Sequence, residues 1–268
     1  LSLEINNIHR QAGWKNYVLG IQHELSEEPL PIEGFNCVFG GNLPIGSGLS
    51  SSAAVECGLI FALNEIFQLG LQRKKLALMA QRAVHTFPGV KCGIMDQYAS
   101  LMGKKGNVLL LDCKTMEHTY LPFQPEEHVL VLINSKVHHS LAGGEYNTRR
   151  MQCSQGLDFL KKHEPFVKSF RNVSIDMLSQ YKSQLDAAVY KRCLYVVKEI
   201  QRTLQAAELL EQNNIEAFGQ LMYETHEGLS RDYEVSCEEL DFLVKEANRL
   251  QVTGSRLMGG GFGGCTIN

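Results

Sequence analysis

Residues 43–54 read LPIGSGLSSSAA, with two glycines around a serine and then three serines in a row. Glycines at 46 and 48 let a backbone approach a ligand closely and adopt positive φ. A helix starting near Ser50 adds unpaired N–H groups and the positive end of a dipole, which together make an anion seat. The hydroxyls of Ser50, Ser51 and Ser52 can donate to phosphate oxygens, and one of them can ligate Mg2+, a hard cation that takes oxygen ligands and keeps its waters. Phosphate plus magnesium points to a nucleotide. A capped helix after a glycine turn explains the same residues without a ligand, although three serines exceed what a cap requires. The GK[ST] ending of a Walker-type loop is absent, and Leu49–Ala54 offers no lysine to meet a γ-phosphate.

A second constellation is GVKCGIMDQ at 89–97. Asp96 follows two glycines and a lone Lys91 among apolar residues, so its carboxylate has few competing charges. It can accept a hydroxyl proton from a substrate lying within about 3 Å. An acid in the first turn of a helix opening near Gly93 is the plainer alternative.

The third is GSRLMGGGFGGCTIN at 254–268, which matches G-x-G-x-x-G through Gly259, Gly261 and Gly264. A dinucleotide fingerprint requires a helix after the glycines and an acid about 20 residues on, whereas β-like CTIN follows here. The context fits a glycine turn between two strands, packed against the first glycine loop so that both flank one triphosphate.

Other residues read as structural. His138 and His139 are adjacent and on a strand would point to opposite faces, which disfavours a shared metal. Arg149 and Arg150 can steer phosphate, but on a helix of mixed polarity they read as solvated. Arg256, beside the glycine turn, is nearer the expected nucleotide and stays open as a contact to it, while Tyr98 reads as packing. The eight cysteines form no CxxC pair, so reduced, buried thiols of an intracellular protein are expected.

The elements that must position these groups follow from periodicity. Trp14–Leu25 and Ser50–Phe67 read as helices and Phe35–Phe39 as a strand. Leu76, Met79, Ala80, Ala83 and Val84 fall on one helical face. Val108–Leu111 and Val129–Ile133 read as buried strands. Residues 144–250 are almost wholly helical, with Val189, Cys193, Val196, Ile200, Leu204 and Ala207 marking one face of a long helix. Strands at Val252–Leu257 and from Cys265 flank the terminal glycines. Segregated helices and strands argue for an α+β protein of two domains.

The chain has 268 residues, 44% of them hydrophobic, and a net charge of −3. That is enough for a sizeable core, with no electrostatic footprint for nucleic acid or an acidic membrane. No stretch is long and apolar enough for a membrane span, and no signal peptide is visible. The chain opens on Leu1 and ends at Asn268 inside an expected strand, which reads as a fragment.

PIGSGLSSSAA and MGGGFGGC, with CGIMDQ, GEYNTRR at 144–150 and RDYEVSCEELD at 231–241, resemble the galactokinase branch of the GHMP kinases from about Trp14 onward. The resemblance implies an N-terminal domain like the second domain of ribosomal protein S5, a ferredoxin-like C-terminal domain, and an active site between them. The domain limits expected from it are 1–90 for ATP-phosphate binding and 91–268 for the sugar-site and glycine-rich motifs, the first incomplete at its start and the second at its end.

By that resemblance Gly46, Ser47, Gly48, Leu49, Ser50, Ser51 and Ser52 wrap the ATP phosphates, and Ser52 is the magnesium ligand. Asp96 is the catalytic acid that takes the proton from the C1 hydroxyl of galactose, and Gly93 and Tyr146 lie against the sugar. The implied activity is cytoplasmic phosphorylation of galactose by ATP, with no protein partner implied. N-acetylgalactosamine phosphorylation and a non-catalytic galactose and ATP sensor are the alternatives. Two departures stand out. The family's opening motif, with its arginine and sugar-gripping Glu, His and Asp, has no counterpart here, and Val84 replaces the second magnesium carboxylate.

Overall fold

The computed structural model describes residues 8–45, 48–123, 128–137 and 144–268. Gly46, Ser47, His138 and His139 therefore lie outside the described residues, and so do the readings that fall on them.

Three helices form as their spacing predicts: α1 over Lys15–Ser26, α2 over Ser51–Ile66 and α3 over Arg73–Thr86. The expected α3 stripe, Leu76, Met79, Ala80, Ala83 and Val84, is buried. Its larger members meet Ile21 and Leu25 of α1 and Ile60 and Leu63 of α2 in one apolar core. Each such side chain contributes about 1.5–3 kcal/mol when fully buried. Gly20 brings α1 close to α3, because a Cβ there would lie 3.0 Å from the Ala83 Cβ. Helix α4 (Met95–Met102) adds Tyr98 to the same core. Tyr98 is packing, as its sequence context suggests, with its hydroxyl 2.9 Å from His118 Nδ1. Strands β1 (Asn107–Leu111) and β2 (His118–Pro122) form a two-stranded sheet, and β1 packs Leu109 and Leu111 on this core.

Strand β3 (Leu132–Asn134) precedes helices α5 (Glu145–His163), α6 (Ile175–Gln180), α7 (Ala187–Glu211), α8 (Ile215–Arg231) and α9 (Glu238–Arg249), followed by β4 (Arg256–Leu257) and β5 (Cys265–Ile267). Side-chain caps open three of the helices: Ser174 accepts from Met177 N–H, Asp186 from Ala188 and Val189, and Asn214 from Ala217. Each such cap satisfies helix-end donors and stabilises by about 1 kcal/mol. Helices α5 and α7 cross at Gly156, where a Cβ would lie 2.2 Å from Cys193 Sγ. Strand β5 is central in an antiparallel sheet of order β3-β5-β4, pairing Ile133 with Thr266 on one side and Leu257 with Thr266 on the other.

Packing divides the chain into two compact units, the first running to Tyr120 and the second from Leu121, with Gly48 and Leu49 belonging to the second. This packing partition differs from the motif-based division at residue 90, because α4 and β1 pack on the core of the first unit.

Four expectations are corrected. Phe35–Phe39 is not a strand: no ladder partner forms beside it among the described residues, and Val38 is fully exposed. Val129–Ile133 is not buried: only its end enters β3, which is an edge strand, and Val129 is 79% exposed. On α7, Leu204 is exposed and Val196 only partly buried, and the core face instead uses Val189, Cys193, Val197, Ala207 and Leu210. None of the cysteines is in a disulfide, but Cys37 and Cys113 are exposed rather than buried.

Candidate functional site

The first unit holds Ser50, Ser51, Ser52, Gly93 and Asp96. Ser50 is the N-cap residue of α2 in the left-handed region (φ 56°, ψ 45°), and its side chain makes no cap hydrogen bond. A non-glycine residue there costs of order 1–3 kcal/mol. That geometry departs from an ordinary serine cap, and the hydroxyl is not consumed by the helix it precedes. Ser51 and Ser52 occupy the first turn of α2, both half-buried.

Asp96 lies in the first turn of α4, half-buried, where the helix dipole favours an anion. Two neighbouring helices fix the approach to it. From α3, Gln81 Nε2 and His85 Nε2 donate to the Cys92 carbonyl at 3.3 and 2.8 Å. From α2, the Cys57 thiol donates to the Gln97 carbonyl at 3.6 Å. The structure thus sets Asp96 beside the helix that begins at the serines. Gly93 is exposed, and a Cβ there would meet nothing within 4 Å among the described residues, so their packing does not demand the glycine.

Sequence reasoning missed Glu56, one turn beyond Ser52. It is 0% exposed, and neither carboxylate oxygen has a hydrogen bond of standard geometry among the described residues. Burial pushes its carboxyl up to about 9, the Gln97 side chain opposes that rise, and the charge of Asp96 adds to it. An acid flanked by apolar residues in the middle of α2 was the available signal.

The second unit holds Gly48, Leu49 and Tyr146. Gly48 has φ +78°, and a Cβ built on it would lie 3.6 Å from both Gly264 Cα and the Met258 carbonyl oxygen. The terminal glycines form a turn between β4 and β5 that packs on the first loop, as their context predicts. Gly261 is fixed by φ +82° and by the Val235 carbonyl, 2.0 Å from where a Cβ would be. Tyr146 is half-buried in the first turn of α5; burial chiefly, then Cys153, and to a smaller extent Tyr146 raise the Tyr233 phenol above its ordinary value.

Arg149 corrects its sequence reading. It is not solvated: its guanidinium donates to the Tyr233 and Glu234 carbonyls at 3.0 Å each. Arg256 is half-buried and donates to the Leu257 carbonyl at 3.0 Å. Arg192, which the sequence did not single out, is 2% exposed and bonds Asp232 and Glu234.

The donor set for magnesium is thin. Val84 is 5% exposed within α3 and has no ligand atom, which leaves Ser52 as the one expected protein oxygen. Among the described residues no group of three or more His, Cys, Asp and Glu side chains could hold a metal ion. These residues do not fit a cation held by the protein alone, since magnesium normally takes one or two carboxylates besides phosphate oxygens. Among the described residues, no helix is long and apolar enough to cross a membrane.

Comparison with known proteins defines the class first. The models for the GHMP kinases N terminal domain and the GHMP kinases C terminal match residues 16–104 and 206–267, which gives the α+β fold its two-domain GHMP kinase architecture. Human galactokinase is 42% identical over 255 residues, 95% of this chain and 63% of that protein. The galactokinase of Thermotoga maritima is 36% identical over 267 residues, 99% of this chain and 74% of that protein. The crystal structure of Lactococcus lactis galactokinase complexed with galactose superposes with a TM-score of 0.89 at 29% identity, covering 99% of this chain and 69% of that one. The chain belongs to the galactokinase family, and it spans 63% of the length of its human relative.

Proposed function

We propose that the protein transfers the γ-phosphoryl group of ATP to the C1 hydroxyl of galactose, giving galactose 1-phosphate and ADP, in the cytoplasm. The observation that carries this reading is the placement of Asp96 beside the helix that opens with Ser51 and Ser52, tied by the Cys57 to Gln97 hydrogen bond. Asp96 takes the C1 hydroxyl proton, the sugar oxygen bonds to the γ-phosphorus, and the bond from that phosphorus to the β,γ-bridging oxygen breaks to release ADP. The transition state of such a transfer is loose, so alignment and charge stabilisation account for most of the catalysis. Helix N–H groups and hydroxyls from Gly46, Ser47, Gly48, Leu49, Ser50, Ser51 and Ser52 receive the phosphates, while the bare backbone at Gly93 and the Tyr146 ring receive the sugar. We assign Ser52 to magnesium as one hydroxyl ligand, the remaining ligands coming from phosphates and water. The domain limits of 1–90 and 91–268 are part of the same proposal.

Asp96→Asn in the intact protein tests the assignment. Turnover in a coupled ADP assay with galactose should fall by at least about a hundredfold, while ATP affinity by calorimetry stays within about twofold. Retained turnover removes Asp96 from the role. Val84 favours one second reading, a sensor that binds galactose and ATP without turnover, and the same assay on unsubstituted protein separates it. Comparing kcat/KM for galactose and N-acetylgalactosamine decides the sugar.

A further inference from the structure

The RDYEVSCEELD stretch contributes none of the proposed ligands, yet two helices grip it. From α7, Arg192 donates to the Asp232 carbonyl, to Glu234 Oε2 at 2.5 Å and to Gln152 Oε1 at 3.2 Å. From α5, Arg149 donates to the carbonyls of Tyr233 and Glu234 at 3.0 Å each. Three consecutive carbonyls are thus held by two rigid forks, a task the point charge of lysine performs poorly. Arg192 also draws the Glu234 carboxyl below its ordinary range, which offsets the charge buried on α7.

The next residue transmits this hold. The Val235 carbonyl accepts the Phe262 N–H at 2.6 Å, and it occupies the space a Gly261 side chain would need. The Arg149 guanidinium lies 5.9 Å from the Phe262 ring centroid. On the far side of the turn, a Cβ on Gly259 would be 3.4 Å from the Gly48 carbonyl oxygen. The contacts run from Arg192 to Gly48 without leaving the second unit.

We propose that Arg192 and Arg149 are positioning residues: they hold 232–235 as the platform of the terminal glycine turn and, through that turn, fix Gly48 for nucleotide binding. This rests on the reading of the Gly48 loop as the phosphate seat. Coupling carried through a packed network of this kind is worth between two- and thirtyfold in affinity, roughly.

Calorimetric titration of the intact protein with ATP in magnesium buffer, and separately with galactose, tests it. Arg192→Lys and Gly261→Ala should each weaken nucleotide binding by about tenfold and leave galactose binding unchanged. Arg149→Gln gives the same readout from a side chain nearer the surface if Arg192→Lys does not fold. Folded variants, judged by circular dichroism, that lose both ligands equally or lose neither overturn the platform. Unsubstituted protein that binds galactose but no nucleotide overturns the phosphate-seat reading, and the platform with it.

Discussion

A carboxyl that cannot reach water is a constraint on when a protein is stable, and Glu56 is such a group. Its ordinary value is 4.5 and its folded value about 9. Between those values the folded chain holds a proton that the unfolded chain has released, so stability falls as pH rises across that window. Glu56→Gln keeps the shape and removes the titration. The expected result is a gain of a few kcal/mol near neutral pH and a denaturation midpoint that loses its decline between pH 5 and 9. A variant as pH-sensitive as its parent would mean that Glu56 is ionised in the fold. Much of the rest of the candidate site was legible at this scale. Asp96 and the serines stand out because charge and hydroxyls are scarce around them. Glu56 did not, since an acid in a largely apolar helix reads as exposed, as Glu65 of the same helix is, until burial is known, and Arg192 was hidden by its place on a charged helix.

Helices follow period and packing, and here the sequence was informative for most of them. The α3 stripe is visible as spacing because Leu76, Met79, Ala80 and Ala83 meet the same core. The α7 face is broader than its expected line because the same turns of that helix serve two clusters, one through Val189, Cys193 and Val197 and one through Tyr195 and Val196. Strands were less legible, since their partners are distant in sequence: Phe35–Phe39 has the composition of a strand but no ladder among the described residues, and β3 exposes an apolar edge. The α5–α7 crossing depends on a close approach that no period reveals. Gly156→Ala places a methyl 2.2 Å from Cys193 Sγ, and overpacking of this kind costs about 1–3 kcal/mol. The melting temperature should fall, and Cys193→Ala in the same chain should restore most of the loss. If the single variant melts with its parent, the helices have room that the structure does not show.

For the molecule as a whole, the order of motifs was readable and the way packing divides the chain was not. No Gly-, Pro- or Ser-rich linker marks residue 120, and Gly48 and Leu49 join the second unit while the serines that follow them join the first. Such an assignment depends on contacts far apart in sequence, which spacing cannot encode. The exposed positions of Cys37 and Cys113 carry a different consequence. Purified without reductant, the protein should accumulate covalent dimers on a non-reducing gel, and Cys37→Ser with Cys113→Ser should abolish them. A ladder that persists in the double variant would point to one of the partly buried thiols. Until those two sulfurs are replaced or kept reduced, the apparent mass of any preparation will record its exposure to air.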